Sequence, residues 1–353
     1  MKKCIDKKLL IGSVIIYAVL FSLMIFASVN GGINDLNLDI KLYNPELTFP
    51  KLVEHFGQFV YWGMWGPAFA IILLCKRDLN GVLGVIGKFL PFVKTVKNEQ
   101  SKAYKFFDFI LQALEIVGFF VLCGIGWKKL IENVTKNVLY ELGKDNLSQG
   151  IYFAISFAVA IVSILLLSKV DKAKLKKLEA LALAGVLLGI FYKIVEECKT
   201  VTHRVRFREM VAYSNGFFDE DGLSEGKYSP LSRQMVNCTD FGAFTPWYQK
   251  SASSGAYDYH FFSRTDSFPS GHTTYSVMMF LSVMFCNAFD KLKKLAPFMF
   301  CVSVVFVGVV GYTRMVAGAH YLSDIVGAML IGYTLFLIVN KIYKVFVDKN
   351  IIG

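Results

Sequence analysis

Charge is what this chain is short of. Only 18% of its 353 residues are Asp, Glu, Lys or Arg, against about 25% in soluble chains, and the mean hydropathy is +0.48. That scarcity excludes an ordinary soluble domain. The seven cysteines include no C-x-x-C pair, so no metal site is implied. H-E-x-x-H and the P-loop pattern are missing too, and with them two common signals for metal hydrolysis and nucleotide binding. No internal repeat and no low-complexity tract interrupts the chain.

Long apolar runs take the place of charge. Runs of about 17 to 21 residues suit bilayer-spanning helices, and they fall at Leu9–Val29, Phe56–Cys75, Phe106–Gly126, Ile151–Leu167, Leu178–Val195, Thr273–Phe289, Leu295–Tyr312 and Leu322–Val339. The expectation is an all-α, polytopic transmembrane helix bundle of about eight spans. The third run carries Asp108, Gln112 and Glu115 and is the least apolar. The first is longer than the usual signal-peptide core and no A-x-A site follows, so it reads as a retained anchor.

A net charge of +11 first suggests a nucleic-acid partner, but the basic residues lie in short blocks between apolar runs. Blocks such as Lys2 to Lys8, Lys76 to Lys105 and Lys169 to Lys177 look like cytoplasmic loops of a plasma-membrane protein. The N- and C-termini are then both cytoplasmic, and no nucleic-acid partner is expected. One outer segment breaks the rule: residues 199–269 hold Lys199, Arg204, Arg206 and Arg208 close together. Positive charge outside, against the insertion bias, calls for a local reason such as a bound anion. Val82–Val96 reads either as a surface-lying helix or as a loop with one short helix. Residues 214–262, rich in Ser, Gly, Asp and Tyr, form the one long non-membrane stretch, and the aromatics of Phe244–Tyr248 suit the headgroup level. Cys198 and Cys238 both face outward in this threading, so a disulfide there is one reading and two small apolar residues the other.

The five histidines carry the chemistry, two of them in telling company. His320 and Asp324 are four apart; on one helical face the carboxylate would accept a hydrogen bond from one ring nitrogen and free the other as nucleophile or base. The same pair would also serve as a helix cap. Pro269-Ser270-Gly271-His272 stands directly before the sixth run. There Ser270 can cap a helix, Gly271 lets a ligand approach the backbone, and the free N–H groups of the first turn can seat a phosphate. Lys199-x6-Arg206, with Arg204 and Arg208 beside it, offers anion-binding forks or, equally, interfacial anchors. Threading eight spans with the N-terminus inside puts Lys199, Arg206, the Ser270–His272 turn, Arg314 and His320 on one face.

Lys199-x6-Arg206, Pro269-Ser270-Gly271-His272 and Arg314-x5-His320-x3-Asp324 together resemble the three-part signature of the type 2 phosphatidic acid phosphatase superfamily, the integral-membrane lipid phosphate phosphatases. The resemblance covers roughly residues 178–340. It departs at Phe207, where the family usually has Pro, and at Thr313, where it usually has Ser. It implies a six-span phosphatase core within 106–353, with the outer loop 199–269, and an N-terminal addition over 1–105. It further implies that His320, oriented by Asp324, attacks phosphorus to form a phosphohistidine. His272 would protonate the leaving oxygen, while Lys199, Arg206, Ser270, Gly271 and Arg314 hold the phosphate. No cofactor and no metal is called for.

The expected activity is therefore a metal-independent membrane phosphatase acting on a lipid phosphate or diphosphate at the outer face. Polyprenyl diphosphate, phosphatidate and phosphatidylglycerol phosphate are all candidates, and the outer loop with Asp219, Glu220 and Asp221 is where selectivity would lie. The expected partners are that lipid substrate and the membrane lipids, with oligomeric state left open. A lipid phosphotransferase using the same histidine, and an anion transporter, are the rival classes.

Overall fold

The computed structural model describes residues 2–75, 102–141, 144–197, 199, 202–217, 241–249 and 266–348. Val82–Val96, Asp219 to Asp221 and the Cys198–Cys238 pair lie outside them. All regular structure among the described residues is helical. The chain divides into two compact units, one made of residues 1–58 and 188–337, the other of 59–187 and 338–353.

The first unit opens with α1 (Lys2–Ser28), which ends where Asn30, Gly31 and Gly32 all take positive φ. Leu10 and Ile25 of α1 are about two-thirds exposed, the signature of a face meant for lipid rather than for protein. The broken turn redirects the chain into α2 (Ile33–Leu42) and then α3 (Thr48–Phe56). In the second unit come α4 (Phe59–Leu74), α5 (Lys102–Glu141) and α6 (Gln149–Leu167). Ala70, Cys123 and Ala160 bury the contact among these three. Ser148 starts α6 by accepting a bond from the Ile151 amide, and Asp171 does the same for the start of α7 (Lys172–Glu197) through Ala173 and Lys174.

The first unit resumes partway along α7, continues through α8 (Phe207–Ser214), α9 (Gly271–Ser276), α10 (Leu281–Ala288) and α11 (Ala296–Val316), and ends within α12 (Leu322–Asp348). Two buried clusters hold it. Leu20 and Ala27 of α1 pack with Met315, Leu322, Ile325 and Val326, while Leu36 of α2 packs with Val205, Phe207, Met210, Val211 and Tyr321.

Seven helices among the described residues are long and apolar enough to cross a membrane. The expected eighth span, Thr273–Phe289, is helical over residues 271–288. Its helical backbone passes through a 3-10 stretch at Val277–Phe280 between α9 and α10, and it is not among the seven. Two other boundaries also differ. The third span runs on to Glu141 as a single 40-residue helix, and the stretch expected to be loop before the second span is itself helical in α2 and α3.

Candidate active site

The local fold brings the three sequence motifs together inside the first unit. Arg314 sits in the last turn of α11, which closes with a Schellman motif: Gly318 at φ +61°, Ala319 N–H on the Arg314 carbonyl at 2.9 Å, and Gly318 N–H on Met315. The His320 N–H reaches the same Arg314 carbonyl at 3.3 Å. Cation and imidazole are thereby fixed to each other through seven residues of backbone. Both side chains are 1% exposed.

The expected His320–Asp324 bond is replaced by a different one. His320 Nδ1 lies 2.7 Å from the backbone carbonyl of Ser267 and 3.7 Å from Asp324 Oδ2, too far for a hydrogen bond. Helix α12 begins only at Leu322, so His320 stands outside it and the i,i+4 geometry does not apply. A carbonyl only accepts, so Nδ1 carries the proton and Nε2 keeps its lone pair. Asp324 is committed elsewhere: Oδ1 accepts from Arg204 Nη1 at 2.5 Å, and Oδ2 accepts from the Ser267 hydroxyl at 2.5 Å and the Tyr321 amide at 2.9 Å. The last is a capping bond, so Asp324 also caps α12.

Lys199 lies just beyond α7, 6% exposed. Its Nζ comes within 2.8 Å of where a Cβ at position 271 would stand, so glycine is what admits the ammonium to the Ser270–His272 turn. Burial first, and the neighbouring Arg206 charge second, push its pKa down to about 8. Arg206, the residue before α8, pairs with Asp266 at 2.7 Å. Burial, then the charges of Arg206, Arg314 and Lys199, hold His320 well below the usual histidine value. The imidazole is neutral, and those same three cations act on it.

Ser270 caps α9 as the sequence suggests, accepting from the Thr273 amide and hydroxyl and keeping its own O–H to donate. Its amide bonds the Asp324 carbonyl at 3.0 Å, tying the second motif to the third. His272 Nε2 sits 3.2 Å from the backbone carbonyl of Glu54, which places a proton on that nitrogen.

Several partners were not foreseen. Glu54 of α3 sets its Oε1 3.0 Å from Arg314 Nη1 and 3.5 Å from Arg208 Nη1. Asp35 of α2 pairs with Arg204 at 2.9 Å, and Asp266 with Arg206. Asp35 alone gave a signal, as an acid just past an apolar run; nothing in the sequence pointed to Glu54. Among the aromatics expected at headgroup depth, Trp247 bonds Ser28 and stacks on Phe268, while Phe244 packs on Arg204 and Tyr321.

Residues 236–348, which hold Ser267, Ser270, His272, Arg314, His320 and Asp324, match the model of the PAP2 superfamily. No curated protein and no solved structure matches the chain. The PAP2 match supports the type 2 phosphatidic acid phosphatase resemblance and, with it, a phosphatase-type activity in general. Lys199, Arg204, Arg206, Glu54 and Asp35 lie outside the matched segment, so their part in the site rests on the geometry above.

Proposed function

We propose that this membrane protein is a metal-independent phosphatase that removes phosphate from a lipid phosphate or diphosphate through a phosphohistidine at His320. One observation carries this reading: a buried, neutral His320 whose Nδ1 proton is held by Ser267, leaving the Nε2 lone pair free beside the charges of Lys199, Arg206 and Arg314. Nε2 attacks phosphorus as the bond to the leaving oxygen breaks. His272, protonated, gives that oxygen a proton. Water, deprotonated by His272, then attacks the phosphohistidine and releases orthophosphate. Lys199, Arg206 and Arg314, with the Ser270 hydroxyl and the Gly271 amide, hold the phosphoryl oxygens while charge redistributes, the work a bound cation does in other phosphoryl transfers.

A phosphate at bilayer depth points to a lipid, with polyprenyl diphosphate, phosphatidate and phosphatidylglycerol phosphate as the substrates to try. In the proposed orientation the site opens to the outer face of a plasma membrane, with both termini in the cytoplasm. Phosphate release from these lipids, with and without chelator, tests the reading. Release unaffected by chelator and abolished in His320→Asn, with the variant still monodisperse in detergent, is the expected outcome. Full release by that variant refutes the mechanism.

A further inference from the structure

The PAP2 match begins at residue 236, yet a buried ion pair beside its motifs is anchored by α2. Asp35 is 1% exposed. Its Oδ2 accepts from Arg204 Nη2 at 2.9 Å and from the Ser323 hydroxyl, and its Oδ1 accepts from the Ser323 amide at 3.0 Å. Arg204 turns its other edge the opposite way, giving Nη1 to Asp324 Oδ1 at 2.5 Å and to Ser323 Oγ at 2.7 Å, while Nε donates to the Thr245 carbonyl at 2.8 Å. Its guanidinium lies 4.0 Å over the Tyr321 ring. Every donor group of Arg204 is thus engaged, and two acids share one cation.

From Asp324 the bonds run straight to the histidine. Its Oδ2 accepts from the Ser267 hydroxyl, and the Ser267 carbonyl accepts from His320 Nδ1. Ser267 is therefore a joint, one end set by Asp324 and the other aiming the imidazole. The first turn of α12 is gripped on both sides as well, by Asp324 on the Tyr321 amide and by Asp35 on the Ser323 amide. All five residues are at most 1% exposed. In such low-dielectric surroundings each bond strengthens its neighbours, and loss of one partner leaves a charge that must repack.

We infer that Asp35 is a positioning residue for His320, acting through Arg204, Asp324 and Ser267. This rests on His320 being the nucleophile. Asp35 touches no reacting atom; it takes Arg204 Nη2 while Nη1 goes to Asp324 Oδ1, so that Asp324 Oδ2 stays with Ser267. Neutralising Asp35 gives Arg204 wholly to Asp324, and the Ser267 carbonyl drifts from the Nδ1 axis.

The test uses the full chain in detergent with whichever lipid phosphate the wild type hydrolyses. Asp35→Asn should leave KM within about twofold and lower kcat by about tenfold or more, and Asp35→Glu should restore part of it. Arg204→Lys keeps the charge but cannot grip two carboxylates, and should lower kcat likewise. In an Asp324→Asn background, Asp35→Asn should cost less than about twofold further, because both act on the same joint. A merely structural role predicts instead lower Tm with unchanged turnover per folded molecule, and effects that multiply. Either of those results, or wild-type kcat in Asp35→Asn, overturns the inference. If Asp35→Asn does not fold, Arg204→Lys and Asp35→Glu decide it: wild-type kcat in Arg204→Lys would overturn it. An inactive Asp324→Asn beside a fully active Asp35→Asn sinks this inference alone. No phosphate release by wild type sinks the catalytic reading as well.

Discussion

Gly271→Ala separates what the site does from what holds it together. The added Cβ would stand 2.8 Å from Lys199 Nζ and 3.4 Å from its Cε, with Glu196 Oε1 next at 3.6 Å. Comfortable contact begins at about 3.5 Å, so the ammonium must withdraw by about 0.7 Å. It is the free end of a flexible side chain, so withdrawal costs the fold little, and alanine is the better helix former by up to about 1 kcal/mol. Thermal unfolding in detergent should therefore stay within a few degrees of wild type. Catalysis should not. Misplacing a catalytic group by about 1 Å costs about a hundredfold, so a shift of about 0.7 Å predicts a loss of about ten- to a hundredfold in kcat/KM, which is about 1.4 to 2.7 kcal/mol. Steady-state phosphate release measures it, and Lys199→Ala completes the cycle: once the ammonium is gone, Gly271→Ala should add almost nothing. Wild-type kcat/KM in a well-folded Gly271→Ala, or equal losses with and without Lys199, would refute a phosphate-holding role for the Lys199 ammonium.

Two further outcomes follow from the electrostatics. Lys199, held at about 8, is charged below that pH and neutral above it, so phosphate binding should weaken as pH rises through 8, seen as a rising KM. Stability moves the other way. Between about 8 and the ordinary lysine value the unfolded chain binds the extra proton, so unfolding free energy should rise with pH across that window; Lys199→Arg, always charged, should erase the KM limb, and a KM flat from pH 7 to 9.5 in wild type would contradict the assignment. Glu54→Gln removes a carboxylate from Arg314 and Arg208, so vanadate, a phosphate mimic, should inhibit about tenfold more tightly; unchanged or weaker inhibition would show that Glu54 does not compete with the bound anion.

What the sequence disclosed, and what it hid, follows the range of each interaction. Spans were legible because a bilayer imposes a length on every apolar run. The Ser270 cap was legible because its bond closes within four residues of backbone. The 3-10 stretch at Val277–Phe280 was not, since its composition is as apolar as that of a regular helix. Asp324 was identified but given the wrong hydrogen bond: helical spacing pairs it with His320 only if the helix already includes residue 320, and it starts at Leu322. Asp35 and Glu54 reach partners 288 and 260 positions away, and no local pattern marks a pairing of that reach.

Those distant acids bear on what the pocket can take. Lys199, Arg206, Arg208 and Arg314 face two carboxylates, Glu54 and Asp266. With Glu196, which also acts on Lys199, the fully ionised set keeps one net positive charge, a sign that favours a phosphate dianion. The Arg204 cluster carries the opposite sign, one guanidinium between Asp35 and Asp324, and it lies on the Nδ1 side of His320. In the proposed mechanism, an imidazole placed between an anion-binding cradle and a net-negative anchor would be polarised along the axis of attack: the cradle would favour negative charge where phosphate arrives, and the anchor positive charge on the ring as Nε2 bonds to phosphorus. Neither half does this alone. With the cradle only, Lys199, Arg206 and Arg314 would oppose the developing imidazolium; with the anchor only, the dianion would be repelled.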